Sequence, residues 1–308
     1  MPTGTPGQQK FDNGMTAQQE NKKELYARHG KATDALAAIN RNRVKEDRLN
    51  DAAYFVQAGV KVTISNYSVA GANIGVNMNK LLLYAVALFT EQYEQTQSGS
   101  SLYEVNFTID DYIQIVGGVV PADAGKRRRK RNDMQKRVRR ELMLLQSVQV
   151  TQINGNDYES VSLICRTAAQ NGIVTVEFSR PFAEYLLRQA KTIIHPQLLK
   201  VGGRSPTAFA LGLKITEHHY MNAKRQTKAA NRLKVKNLLK VSPLPTYESV
   251  LKDGKSWKER IRQPFEKAMN ELITTGVLHS WRYESSEAAE KYHSFYEALI
   301  TFKLAGKK

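Results

Sequence analysis

The sequence has one cysteine in 308 residues, Cys165. A lone thiol excludes an internal disulfide and a Cys-rich zinc site. Long apolar runs are missing too. The longest, Leu81 to Phe89, has nine residues, against the roughly 18–20 that a membrane helix needs. It reads as a buried helix. The opening MPTGTPGQQK has no apolar segment of the kind a secretory signal requires, so a cytoplasmic location is expected. Acids are scarce: 29 Asp and Glu against 46 Lys and Arg leave a net charge of +17. Such an imbalance attracts a polyanion, either nucleic acid or an acidic membrane face, and is silent about fold. What is present is 41% hydrophobic residues, enough to bury a core, and a length that suggests two domains.

Catalytic signatures mostly fail. A phosphate-cradling P-loop needs G-x-x-x-x-G-K-[ST]. Here Gly125-Lys126 is followed by Arg127, and Gly118 lies too far upstream. His218-His219-Tyr220 suggests a nicking enzyme, but adjacent histidines on a helix diverge and cannot share a metal. His279-Ser-Trp-Arg282 suggests a tyrosine recombinase with Tyr292 or Tyr296 as nucleophile. No upstream catalytic Arg box accompanies it, and the motif falls in a predicted strand. No carboxylate cluster suggests a two-metal site. The expectation is a non-enzyme with no metal and no cofactor.

Along the chain, residues 1 to about 20 are rich in Gly, Pro, Gln, Asn and Thr and read as a disordered tail. From Ala17 to about Phe55 a loose helical arm is expected, with Leu36, Ile39, Val44 and Leu49 as its apolar residues. Val60 to Ile64 alternates as a strand does, and Asn66 to Gly75 reads as a loop.

A pattern then occurs twice. The first copy has a helix from Asn79 to about Gln92 and a strand from Glu104 to Phe107. A helix capped by Thr108 follows, then a long basic helix from about Ala124 to Leu145. Strands over Val148–Ile153 and Tyr158–Cys165 are joined by Asn154-Gly155, a hairpin signal. A strand at Ile173–Phe178 leads into a helix from Pro181 to about Lys191. The second copy has a helix from Pro206 to about Gln226, with Phe209, Leu213 and Ile215 as its apolar residues, and a short helix around Val235–Leu239. Thr246 caps another helix, and Ser256 caps a long one over Trp257–Thr274, whose Phe265, Met269, Leu272 and Ile273 face inward. Strands at Val277–Tyr283 and Ser294–Leu304 close it. Helix, short helix, long helix and hairpin is the order of a winged helix-turn-helix. The fold expected is α+β: an N-terminal arm (1–55) and two tandem winged-helix domains (56–200 and 201–308).

The sharpest chemical feature is Lys126-Arg127-Arg128-Arg129-Lys130-Arg131-Asn-Asp-Met-Gln-Lys136-Arg137-Val-Arg139-Arg140, ten cations in fifteen residues with one acid. Met134, Val138, Leu142 and Leu145 recur at helical steps, so one face is apolar and the rest positive. A helix fits the major groove, where Arg grips guanine bidentately and Lys or Arg neutralises phosphates. A solvated charge run is the plainer reading. The second long helix carries Lys255, Lys258, Arg260 and Arg262 near its start, the half from which recognition helices read bases. Lys224, Arg225, Lys228, Arg232, Lys234, Lys236 and Lys240 form a stretch free of acid between Glu217 and Glu248. It is expected to touch phosphates in part.

Trp257-Lys-Glu-Arg-Ile-Arg-Gln-Pro-Phe-Glu-Lys-Ala-Met-Asn-Glu-Leu-Ile, then Gly276-Val-Leu-His-Ser-Trp-Arg-Tyr283, resembles the second winged helix of plasmid replication initiators. Tyr296 to Phe302 is similar to the strand that closes their wing. Leu81–Phe89, Phe107–Val116 and the basic helix are similar to their first winged helix. The resemblance spans about residues 60 to 304. It implies a protein that binds repeated origin sequences in duplex DNA, helps melt an adjacent segment and recruits a host initiator and helicase, without cleaving DNA. It also implies forms that switch between homodimer and monomer. The readings left open are a tandem winged-helix transcriptional regulator, a nicking or recombinase enzyme, and an RNA-binding or nucleoid protein without sequence preference.

Overall fold

The structure, a computed structural model, describes residues 25–29, 33, 35–36, 44–57, 59–70, 74–95, 103–118, 122–154, 157–223, 228–285 and 291–306. The expected N-terminal tail lies outside these residues. The chain is mixed α and β. Among the described residues every strand pairing is antiparallel.

The first half is built on a helix, α2 (Val76–Gln95), that follows a short α1 (Tyr67–Ala70). Leu81, Leu82, Leu83, Tyr84, Val86 and Phe89 are each at most 7% exposed, so α2 is hydrophobic on every side and must be covered all round. Burial of each such side chain stabilises by about 1.5–3 kcal/mol. Strands β1 (Leu25–His29) and β10 (Ala190–Ile194) form a two-stranded ribbon against it. A three-stranded sheet of β5 (Glu104–Thr108), β9 (Ile173–Phe178) and β8 (Ile164–Gln170) covers another side. Helices α3 (Ile109–Ile115) and α4 (Ala124–Gln146) complete the cover. Beyond α4 lies a five-stranded sheet in the order β2 (Lys45–Asp47), β3 (Ala52–Gln57), β4 (Val60–Ser65), β6 (Val148–Asn154) and β7 (Asp157–Ser162). Its β6–β7 hairpin closes at Asn154 opposite Asp157, as Asn154-Gly155 requires.

Helix α5 (Arg180–Arg188), capped by Ser179, precedes β10, and a 3₁₀ turn (Pro196–Lys200) leads into the second half. There α6 (Pro206–Ala223) packs on α9 (Gln263–Thr274). Gly212 makes that approach feasible, since a Cβ there would sit 2.8 Å from both Leu198 and Leu272. Helices α7 (Val235–Val241) and α8 (Tyr247–Lys252) precede the long helix. A sheet of β11 (Arg232–Lys234), β13 (Leu299–Leu304) and β12 (Leu278–Tyr283) follows, with α10 (Tyr292–Glu297) between β12 and β13. Leu198, Leu199 and Val201 belong to the same buried cluster as residues of both halves.

Several expectations need correction. The expected helical arm is largely strand: β1, β2 and β3 fill most of its described length, while Thr33, Ala35 and Leu36 are helical. Leu36 is buried there, but Leu49 is 98% exposed at a hairpin tip. The single strand over Tyr158–Cys165 is two strands in different sheets. The change of sheet happens at Leu163, which is fully buried, donates its N–H to Val148 and accepts from Ser179. The helix expected to reach Lys191 stops at Arg188, because β-branched Thr192, Ile193 and Ile194 pair with β1 instead. The final strand is shorter than expected. Tyr292 and Phe295, three residues apart, turn into the core as one helical face and leave β13 to begin at Leu299. Ile273 was expected to face inward and is 38% exposed.

Candidate nucleic-acid interface

Helix α4 starts where Asp123 accepts the backbone N–H of Lys126 at 2.7 Å. Val138, Leu142, Leu144 and Leu145 are buried and Met134 is half-buried against the core. The apolar face therefore lies in the C-terminal half, and the N-terminal half projects cations. Lys126, Arg128, Arg129, Lys136, Arg139 and Arg140 are exposed and form no ion pair among the described residues. Asn132 is exposed among them. The cationic run masked this neutral amide, although its spacing from Arg128, Arg129 and Lys136 puts it on their face.

The remaining cations of this helix are held by the protein. Arg131 makes a two-pronged contact with Asp110 of α3, Nε to Oδ1 at 2.7 Å and Nη2 to Oδ2. That bond holds the Asp110 carboxyl below its usual range. Arg127 donates to the Ala122 carbonyl at 3.3 Å, and Lys130 is half-buried. Arg137 donates Nε to Glu141 Oε1 at 3.0 Å. Glu141 is buried, and burial pushes its carboxyl above the usual range while Arg137 opposes the shift. Nearby, the Lys80 ammonium is buried and donates to the Val201 carbonyl. Desolvation lowers its pKa to about 8, and Arg137 adds to the effect.

The second long helix begins differently. Thr246 caps α8 through the N–H of Ser249, as expected. Ser256 lends only its backbone carbonyl, to the N–H of Arg260, and Trp257 occupies the cap position without a side-chain bond. Residues Lys258–Arg262 form a π-helical turn, with the N–H of Gln263 on the Lys258 carbonyl. Pro264 explains it. Proline has no N–H to give to the residue four before it, so the helix widens locally. Lys258 and Arg260 are exposed on this turn, Lys255 lies 3.7 Å from Asp253, and Arg262 donates to Glu266 at 2.8 Å. Aromatics brace the turn from behind. Trp257 packs on Tyr292 and Phe295, and Tyr292 stacks on Tyr247 at 3.8 Å. Trp281 Nε1 donates to Asn270 at 2.9 Å, tying β12 to α9.

The basic stretch is only partly described. Lys224 and Arg225 lie outside the described residues, as does the side chain of Lys228. Arg232 is clamped to Glu284 by two bonds of 2.5 Å, which lowers the Glu284 pKa. Lys234 and Lys236 share Glu297, at 3.1 and 2.8 Å. Lys240 is exposed. This stretch therefore includes at least three cations committed to intramolecular pairs, so it is less available to a polyanion than its composition suggests.

The histidine–tyrosine motifs have structural partners. His218 Nε2 lies 2.9 Å from the Ala229 carbonyl and His219 Nδ1 lies 2.8 Å from Asn231 Oδ1. They hold the 228–231 turn against α6. Burial raises the Tyr220 pKa. Among the described residues no group of three or more His, Cys, Asp or Glu is placed to hold a metal ion, and no helix is long and apolar enough to cross a membrane.

No protein-family model matches the sequence, and no curated protein matches it in sequence. Solved structures do match in shape. The Pi initiator protein, crystallised in complex with iteron DNA, aligns with a TM-score of 0.55 at 12% identity, covering 92% of this chain and 98% of that one. Domains 2 and 3 of RctB align with a TM-score of 0.44 at 11% identity, covering 88% and 98%. At 12% identity the likeness to Pi is one of fold, and it runs through nearly the whole of both chains.

Proposed function

We propose that this chain is a sequence-specific, double-stranded DNA-binding replication initiator made of two tandem winged helices. In this reading α4 and the Trp257–Thr274 helix are the recognition helices, and β6–β7 and β12–β13 are the wings. The observation that carries it is the outward face of α4. Six cations, Lys126, Arg128, Arg129, Lys136, Arg139 and Arg140, stand exposed with no ion pair among the described residues, on a helix whose Val138, Leu142, Leu144 and Leu145 are buried in the core. Like charges that close destabilise a helix in isolation, and a phosphate backbone relieves the repulsion. The whole-chain fold likeness to an initiator crystallised on iteron DNA supports the finer reading. Repeated origin sequences are the expected target, a host initiator and helicase the expected protein partners, and a homodimer an expected second state. The chain would act without catalysis, by binding and by straining the duplex.

Selection of bound duplexes from a random pool tests the reading. A target with repeated elements is expected, with a steep salt dependence of about 0.9 per phosphate neutralised. Recovery of sequences no different from the starting pool would remove the claim of specificity. A transcriptional regulator would share each of these contacts. Opening of an adjacent AT-rich segment in a supercoiled plasmid carrying the selected site is what separates an initiator from it.

A further inference from the structure

Residues 195–205 join the halves, between the end of β10 and the start of α6. A connection between two domains is ordinarily an exposed, compliant linker crossed by few contacts. This one is laced into both halves. His195 Nε2 lies 3.4 Å from the Ala305 carbonyl, just past β13 in the second half. Leu198 is fully buried against Gly212 of α6, where a Cβ would sit 2.8 Å from the leucine Cδ1. The chain then turns back to the first half. A Cβ at Gly117, just past α3, would lie 3.1 Å from Cγ of Lys200. Val201 is fully buried, and its carbonyl accepts from the Lys80 ammonium of α2. A Cβ at Gly203 would lie 2.9 Å from both polar atoms of Asn77, in the first turn of α2. Lys80 is the unusual member. It is 3% exposed and forms no ion pair among the described residues. Lysine is almost never buried so fully without a paired charge, and an apolar side chain of similar length would fill the place at less cost in desolvation. What the ammonium adds is direction: it ties one backbone atom of the connection to one turn of α2.

We infer that residues 195–203 are a fixed spacer, held by Lys80, that sets the number of base pairs between the two DNA elements read by the two halves; Lys80 is a positioning residue for that spacing. The inference rests on the proposed DNA-binding reading and adds a constraint to it. Each inserted base pair moves the far element by about 3.4 Å along the duplex. It also rotates that element by about 35°, since a helical turn takes roughly 10–10.5 pairs. Halves joined by a slack chain absorb such a change, because a flexible linker reorients freely. Halves joined through a buried strap cannot follow the rotation without detaching Leu198 from α6 or Val201 from Lys80. They hold one element and lose the gain of binding the second, which for linked sites is about 10²–10⁴ in affinity.

The test uses the full chain and the two-element duplex recovered by selection. One or two base pairs are inserted or deleted between the elements, and duplexes carrying either element alone serve as controls. The wild type is expected to lose about tenfold or more in affinity per changed pair, down to the level of a single element. Lys80→Met keeps the length and apolar stem of the side chain and removes the bond to Val201. It should bind each single element as the wild type does, yet lose no more than about threefold on a changed spacing. Asn77→Ala loosens the same strap at a half-buried side chain, should flatten the spacing preference in the same direction, and carries the test if Lys80→Met does not fold. A sharp spacing preference retained in the variant would overturn the role of Lys80. Weakened binding to single elements would overturn it too, in favour of a general structural role. A wild type that tolerates changed spacing would overturn the spacer while leaving the DNA-binding reading intact. Selection that yields no two-element site would overturn both.

Discussion

The two long helices occupy matching places in the two halves, each running into a strand, yet they handle charge in opposite ways. Helix α4 is capped by Asp123 and crowded with cations, six of which form no ion pair among the described residues. The Trp257–Thr274 helix is widened by a π-turn at its start, is backed by aromatics, and pairs Arg262 and Lys255 with nearby carboxylates. Exposed unpaired charge gives affinity that any duplex satisfies. A sparse, shaped helix start with two exposed cations gives little affinity but a defined geometry for base edges. On the proposed DNA-binding reading, the difference would give attachment to the first half and discrimination to the second.

The largest effect should come from removing the first term. The triple replacement Arg128→Ala, Arg129→Ala and Lys136→Ala should weaken binding to every duplex and lower the log–log salt slope by roughly 3, at about 0.9 per lost phosphate contact. Fluorescence anisotropy across a salt series measures it. An unchanged slope would mean that α4 faces something other than a phosphate backbone.

The second helix should respond differently. Arg260→Ala is expected to cost about 1–3 kcal/mol on the selected site and far less on random duplex, with preference lost at one base position. If affinity falls equally on both, the division of labour is wrong. Asn132→Ala refines the same comparison from the other side. If the cations around it bind phosphates as proposed, this amide is placed to read adenine, so its loss should relax one position without changing the salt slope.

How much of this was legible in the sequence follows from what each feature leaves as a pattern. The basic helix was plain, because a dense charge run over a 3–4 spacing of Met134, Val138, Leu142 and Leu145 has one helical solution. The β6–β7 hairpin was plain through Asn154-Gly155. The ribbon of β1 and β10 was not, since Leu25–His29 and Ala190–Ile194 are only five residues each and pair residues as far apart as Leu25 and Ile194. The π-turn was hidden because the expected Trp257–Thr274 helix already held Pro264 in its interior, and sequence does not say whether such a proline ends, kinks or widens a helix. Free and paired cations were also indistinguishable in sequence. Arg131 meets Asp110 and Arg232 meets Glu284 only once the chain has folded.

Pro264→Ala should sharpen the comparison further. With an N–H restored, the Lys258–Arg262 turn can relax towards an ordinary α-helix. Its side chains would then rotate relative to those of α9. The expected outcome is a shifted base preference in duplex selection with the salt slope unchanged. An identical selected site would show that the widened turn is incidental to reading.

The smallest effect separates the two halves by pH. Asp110 in the first half is held below its usual range by Arg131, and Glu284 and Glu297 in the second by Arg232 and by Lys236 with Lys234. In each case the folded pKa is depressed. The stabilisation is therefore complete above the unfolded values of 3.8 and 4.5 and fades as pH falls through the folded ones. All three pairs are largely solvent-accessible, so screening keeps each contribution small. In the second half Glu284, just after β12, and Glu297, at the end of α10, both bind cations of β11, whereas the seat of α4 in the first half has the one carboxylate Asp110. Acidification below about pH 4.5 should thus loosen the β11–β13–β12 sheet before the seat of α4. Hydrogen exchange followed at pH 5 and pH 3.5 reads the order directly. Earlier loss of protection in α4 than in β13 would show that Asp110–Arg131, and not the glutamate pairs, is the acid-sensitive contact.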